Sequence, residues 1–250
     1  MANPKENWKK CKPSEIIFID IETASQFAEF DEMGETLRSL WLEKAETLHK
    51  NSVEKPVDSE FYFEKAALYA EFGRVVCISI GCLNGAGNEL VIKSFADPDE
   101  AEILSEFAEF INIKLANRPY FCGHNIKEFD VPYLCRRMLA NGVSLPSQLD
   151  VGGLKPWDVS HIDTMELWKF GDNKNYTKLK LILEVLGIQS PKDDIDGSQV
   201  TDVFWNENDL ERIVKYCEKD VIAVTQLLLK FRGEPLVEEG KITIRDWLMK

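Results

Sequence analysis

Ile16, Ile17, Phe18 and Ile19 form an uninterrupted run of β-branched and aromatic residues, the pattern of a strand covered on both faces. Such a strand lies mid-sheet. The run leads into Asp20 and Glu22, and because side chains alternate along a strand, the two carboxylates project to the same side at its end. From 27 to 72 the periodicity becomes helical, with Leu37, Leu40, Trp41 and Leu48 in one part and Phe63, Ala66, Ala67 and Tyr69 in another, which predicts a helical insertion after the first strand. RVVCISIG (74 to 81) and ELVIKSF (89 to 95) read as a hairpin joined by LNGAGN, and with the first strand they suggest an antiparallel meander.

Asp97-Pro98 opens a helix whose inner face holds Ile103, Leu104, Phe107 and Ile111. PYFCGHN (119 to 125) follows as a short strand that the helical crossover places parallel to a neighbour. Further helices are expected at about 130 to 140, ended by Asn141-Gly142, at about 177 to 186, ended by Gly187, and at about 209 to 231. The last has an apolar stripe of Ile213, Cys217, Val221, Val224, Leu228 and Phe231, flanked by Tyr216 and Asp220 one turn apart. The alternation of strands and helices makes the chain α/β, and 250 residues suffice for one domain carrying a large insertion.

Charge changes the picture. The net charge of −13, from 43 acidic and 30 basic residues, repels phosphate backbones, so any nucleic-acid contact must be local. Two small basic clusters exist, Arg136-Arg137 and KNYTKLK with Lys174, Lys178 and Lys180; taken singly, each reads as a solvated helix face. The six cysteines lack the spacing of a zinc knuckle or redox motif, and Cys77, Cys82, Cys122 and Cys217 sit in apolar or helical contexts. They read as reduced core thiols of a cytoplasmic protein. MANPKENWKK has no apolar region behind it and no window approaches the roughly 20 apolar residues of a membrane span, so no membrane association or export is expected.

Two like charges at the end of a buried strand need a bound cation or a shared proton to offset their repulsion. In FCGHNIKEFDVPYL another carboxylate, Asp130, stands near the start of a helix just after a strand, where it serves either as a cap or as part of a site at the carboxyl ends of the strands. Asn125 in the same stretch suits a turn. Asp220 at the rim of the last helix's stripe is costly unless paired or bound to metal, although YxxxD alone reads as a surface pair.

In the order DIET, HNIKEFD, YCEKD, the chain resembles the DEDD 3′-to-5′ exonucleases, in the subclass with tyrosine in the last motif. The closer resemblance is to stand-alone proteins similar to the proofreading exonuclease domain of family B DNA polymerases, through GHNIKEFDVPYL, HIDTMEL, IDGSQV and YCEKDV, and it covers about residues 14 to 231. It implies a ribonuclease H-like mixed sheet flanked by helices, with the first strand central. One domain over 14–235 would include the insertion at about 27–72, with 1–13 and 236–250 as terminal extensions. The implied activity is hydrolysis at the free 3′ end of single-stranded DNA or RNA, DNA favoured, with two divalent cations.

By the resemblance, Asp20 bridges both ions, Glu22 and Asp220 complete the first site, and Asp130 supports the second. Tyr216 orients the attacking water, while Ile21, Thr23, Asn125 and Phe129 contact the terminal nucleotide. Four acids without cysteine or paired histidines suit Mg²⁺ or Mn²⁺ better than zinc. Tyr216 stands where the other subclass carries its histidine, so His124 is not read as the base, and a substrate contact by it is the lesser alternative. Asp163 in HIDTMEL reads as a supporting or structural acid, and Asp193 and Asp194 as loop formers. Trp41, Leu42, Phe61, Tyr62 and Phe63 in the insertion either pack it onto the core or border the substrate channel. A binding module of lapsed catalysis on the same fold is the alternative, and retention of all four acids and the tyrosine argues against it. A phosphoesterase of small substrates would differ in needing no polynucleotide.

Overall fold

β1 (Ile16–Ser25) lies inside a six-stranded sheet of order β5-β4-β1-β2-β3-β6. The computed structural model describes residues 7–49, 58–172, 176–189 and 195–245; Lys174, Asp193 and Asp194 lie outside the described residues. β1 runs antiparallel to β2 (Gly73–Leu83) and parallel to β4 (Tyr120–Gly123), and β3 (Leu90–Ala96) returns antiparallel to β2, giving the expected meander and parallel crossover. Two short strands complete it: β5 (Ile162–Asp163) beside β4, and β6 (Ile242–Arg245) parallel to β3.

The apolar run of β1 has two faces to fill. Ile17, Ile19 and Ile21 pack among Ile103, Leu104 and Phe107 of α3 (Glu100–Lys114) and Val131 and Leu134 of α4 (Asp130–Ala140). Phe18 packs on the opposite face with Val221, Val224 and Leu228 of α7 (Leu210–Arg232). The insertion contributes α1 (Glu35–Leu48) and α2 (Asp58–Lys65), and α5 (Thr164–Lys169) and α6 (Leu179–Leu186) lie between α4 and α7 in the chain. α6 stops at Gly187, whose φ of 65° is a left-handed value that disfavours a side chain. α3 starts two residues later than Asp97-Pro98 suggests, because the Asp99 carboxylate accepts the Ala101 N–H at 2.9 Å and caps it.

The insertion's aromatic residues form their own core. Trp41 and Tyr62 are fully buried, edge to face at 5.3 Å, with Phe61 and Phe72 against them. The Tyr62 hydroxyl accepts the Phe27 N–H at 3.1 Å and donates to the Phe72 carbonyl at 3.3 Å, tying together both ends of the excursion. Those three side chains, Trp41, Phe61 and Tyr62, are packing residues.

One expectation changes. Arg137, half of one basic cluster, is buried, and its guanidinium meets Glu100 at 2.6 and 2.9 Å. Glu100 also accepts the Val75 N–H and the Asn141 amide, so α3, α4 and β2 meet at one satisfied carboxylate. Outside 14–235, β6 pairs in parallel with β3, and Cys11 lies in the core with Trp8 packed against it. Among the described residues no helix is long and apolar enough to cross a membrane.

Candidate active site

β1 turns Asp20 and Glu22 toward the face that α7 covers. In the β1–β2 ladder Asp20 stands opposite Ser79 and Glu22 opposite Cys77, and the register shifts between Glu22 and Thr23. A bulge at that point bends the strand just past the carboxylates, a device that re-aims side chains beside sites. Donor atoms of Asp20, Glu22 and Cys217 all lie within 4.8 Å of one another. The Cys217 thiol donates to the Asp20 carbonyl at 3.3 Å and to its carboxylate at 3.4 Å. Tyr216 precedes Cys217 and Asp220 follows one turn later, both half-buried. Asp130 enters from the other side as the first residue of α4.

The electrostatics follow from this convergence. Burial, then the charges of Asp220 and Asp130, hold the Asp20 carboxyl well above the usual carboxylate range. Glu22 is raised likewise, by burial and then by Asp20 and Asp220. It is 6% exposed. Asp130, 4% exposed, is pushed up to about 7, chiefly by burial, although its own N–H and that of Ile21 hydrogen-bond it and pull the other way. Four carboxylates drawn together, Glu22 and Asp130 buried and Asp20 and Asp220 half-buried, are costly for the fold unless cations neutralise them. Oxygen-rich and acidic, the cluster fits hard divalent ions such as Mg²⁺ or Mn²⁺.

Other residues take supporting positions. Asp163, buried and capping α5, accepts the N–H groups of Asn125 (3.1 Å), Lys127 (3.2 Å), Met165 (2.9 Å) and Glu166 (3.3 Å). It fixes the turn that leads to Asp130, where Asn125 takes a left-handed φ of 66°. Burial lowers the His124 pKa, and both ring nitrogens are engaged, Nδ1 with the Thr164 hydroxyl and Nε2 with the Thr177 carbonyl, each at 2.9 Å. A neutral ring then carries its proton on Nε2, because a carbonyl can only accept. Phe129, half-buried and 5.3 Å from the Tyr133 ring, stands immediately before Asp130.

Two of the expected substrate contacts look different in three dimensions. The Ile21 side chain is in the core on the far face of β1, and only its backbone N–H reaches the cluster, at Asp130. The Thr23 hydroxyl is buried and donates to the Ala67 carbonyl at 2.9 Å, joining the strand to the insertion. The periodicity of the last helix marks Cys217 as core, and it is buried, but its thiol also touches Asp20. Its place right after Tyr216 was the available signal.

A family model described as "Predicted 3'-5' exonuclease related to the exonuclease domain of PolB" matches residues 66–243, a span that includes Asp130, Tyr216 and Asp220 and begins after Asp20 and Glu22. No curated protein matches the chain. Among solved structures, the family B DNA polymerase from the hyperthermophilic archaeon Pyrobaculum calidifontis is similar, with a TM-score of 0.51 and 18% identity, over 86% of this chain and 24% of that one. The chain spans about a quarter of that polymerase's length, and the likeness is one of fold. The mixed, helix-flanked sheet is ribonuclease H-like.

Proposed function

Because the chain belongs to the family of predicted 3′-to-5′ exonucleases related to the exonuclease domain of PolB, we propose that it removes nucleotides from the 3′ end of single-stranded nucleic acid, DNA in preference to RNA, in the acidic cluster of β1, α4 and α7. One observation carries this reading: the carboxylates of Asp20, Glu22, Asp130 and Asp220 meet closely enough to raise one another, at a site where Glu22 and Asp130 are buried. A module that merely bound a partner would gain nothing from so costly an arrangement.

Asp20, Glu22, Asp130 and Asp220 would hold two divalent cations, which when bound supply a water deprotonated at neutral pH and offset charge on the attacking and leaving oxygens. The chain's own groups do the rest. Asp20 faces both Asp220 and Asp130 electrostatically, which suits a carboxylate shared between two ions. Tyr216, one turn before Asp220, orients the attacking water through its hydroxyl; an ordinary phenol, with a pKa of about 10, is too weak a base at pH 7 to take the proton. Phe129, half-buried beside Asp130, offers a ring on which the terminal base can stack, a contact worth about 1–3 kcal/mol that reads no sequence. Asn125 is held near it by Asp163. Lys178 and Lys180, both exposed, give a strand local attraction on an otherwise acidic protein.

The preference for DNA is supported by the polymerase likeness. It is tested by comparing initial rates on single-stranded DNA and RNA oligomers of one sequence, with Mg²⁺ or Mn²⁺ and with chelator. Faster metal-dependent shortening of DNA is expected; equal rates or faster loss of RNA would refute the preference.

A further inference from the structure

A cationic groove lies away from the acidic cluster, where β2, β3 and Arg245 of β6 meet the end of α3. Glu22 stands opposite Cys77, whereas the groove opens beside Cys82 and Leu83, at the other end of the β1–β2 ladder. Its volume of about 480 Å³ falls within the roughly 300–1,000 Å³ of small-molecule sites. The floor is apolar, made by Cys82, Val91 and the half-buried Phe110 ring. Around it stand four cationic residues, Lys93, Lys114, Arg118 and Arg245, against one carboxylate, Glu89, on a protein whose net charge is −13. Among the described residues none of the four cations forms an ion pair. Arg118 is half-buried, and its Nη1 and Nη2 donate to the carbonyls of Ile16 at 2.9 Å and Leu83 at 3.1 Å, which fixes the guanidinium and leaves its charge uncompensated. Lys93 Nζ lies 5.8 Å from the centroid of the Phe110 ring. Burial raises the Cys82 thiol pKa, and the charges of Arg118 and Arg245 pull it the other way, so both guanidinium groups act on the floor. An uncompensated cationic rim around an aromatic floor is complementary to a flat ring that carries phosphate, because guanidinium matches phosphate geometry and a base gains from an aromatic neighbour.

We propose that this groove binds a nucleotide, its base on Phe110 and its phosphates among Lys93, Lys114, Arg118 and Arg245. The nucleotide is a bound ligand and not the strand being shortened, since the single carboxylate of the groove cannot hold a pair of cations. The site shares no residue with the acidic cluster and stands whether or not the chain is an exonuclease.

The full chain in chelator, titrated by calorimetry with dATP, deoxyadenosine and tripolyphosphate, tests it. dATP is expected to bind at least tenfold more tightly than either fragment, and more weakly as salt rises. Equal affinity for tripolyphosphate and dATP overturns the proposal, because the groove would then be a plain anion patch. Displacement of dATP by a lower concentration of a glutamate-rich peptide or a single-stranded oligonucleotide overturns it as well, since the groove would then take a peptide or a strand. Lys93→Gln combined with Lys114→Gln is expected to weaken dATP binding at least tenfold, and Asp20→Asn to change it by less than about threefold. Unchanged binding in the first variant, or loss of binding in the second, places the nucleotide elsewhere and overturns the proposal. Photolabelling of the wild type with 8-azido-dATP needs no variant to fold: label is expected on a peptide holding Val91 or Phe110, and label confined to other peptides overturns the assignment.

Discussion

Replacing Asp130 by asparagine stabilises the metal-free protein at neutral pH and above. The folded-state pKa of Asp130 is raised from the ordinary 3.8 to about 7, so the folded chain binds this proton more tightly than the unfolded one. Below about pH 4 the carboxyl is protonated in both states and contributes nothing to the difference. Between about pH 4 and 7 the unfolded chain releases the proton first, and stability falls by up to about 1.4 kcal/mol per pH unit. Above pH 7 the loss is complete at about 4 kcal/mol, an upper figure because relaxation and water entry reduce the penalty of burial. An acid in the first turn of α4 gains about 0.3–1 kcal/mol from the helix terminus, too little to reverse the sign. Asparagine removes the charge and keeps an acceptor for the Ile21 N–H. Urea unfolding in chelator, wild type against Asp130→Asn, should give a stability difference near zero at pH 4 that grows to about 1–4 kcal/mol in favour of the variant at pH 8. A difference that ignores pH, or a variant less stable at pH 8, would refute the burial argument. Mn²⁺ should then reverse the order, because only the wild type retains the full ligand set and gains the corresponding binding free energy.

Tyr216→Phe is expected to lower turnover by about 10- to 1000-fold with little change in substrate affinity, because it removes one water-orienting hydrogen bond felt mainly in the transition state; unaltered single-turnover rates would assign the side chain to packing. Arg137→Ala leaves the Glu100 carboxylate buried without its main partner and should cost about 3–5 kcal/mol in denaturant unfolding; a loss below 1 kcal/mol would mean that Val75 and Asn141 suffice. Trp41→Ala empties the centre of the insertion's core and should cost about 3–5 kcal/mol, whereas weakened oligonucleotide binding at unchanged stability would return this ring to the substrate channel.

Much of this was legible because the governing signals are local or periodic. The apolar run at Ile16–Ile19 announced a strand with two covered faces, and alternation placed Asp20 and Glu22 together. The stripe on the last helix set Tyr216 and Asp220 on its rim. What escaped depends on contacts between distant segments. Two-residue β5 and four-residue β6 are too short to show a period and exist only through their pairing with β4 and β3. Arg137 looked solvated because its partner Glu100 is 37 residues away. Cys77 comes opposite Glu22 only through the β1–β2 ladder, a pairing between distant segments, and Ile21 falls on the far face by the same alternation that pairs the acids.

The most direct test of the central claim follows a 5′-labelled single-stranded DNA oligomer over time with Mn²⁺, using wild type and Asp20→Ala. The cluster account predicts a ladder that shortens stepwise from the 3′ end, absent in chelator and absent for Asp20→Ala at unchanged circular dichroism. Stepwise shortening by Asp20→Ala at the wild-type rate would contradict it.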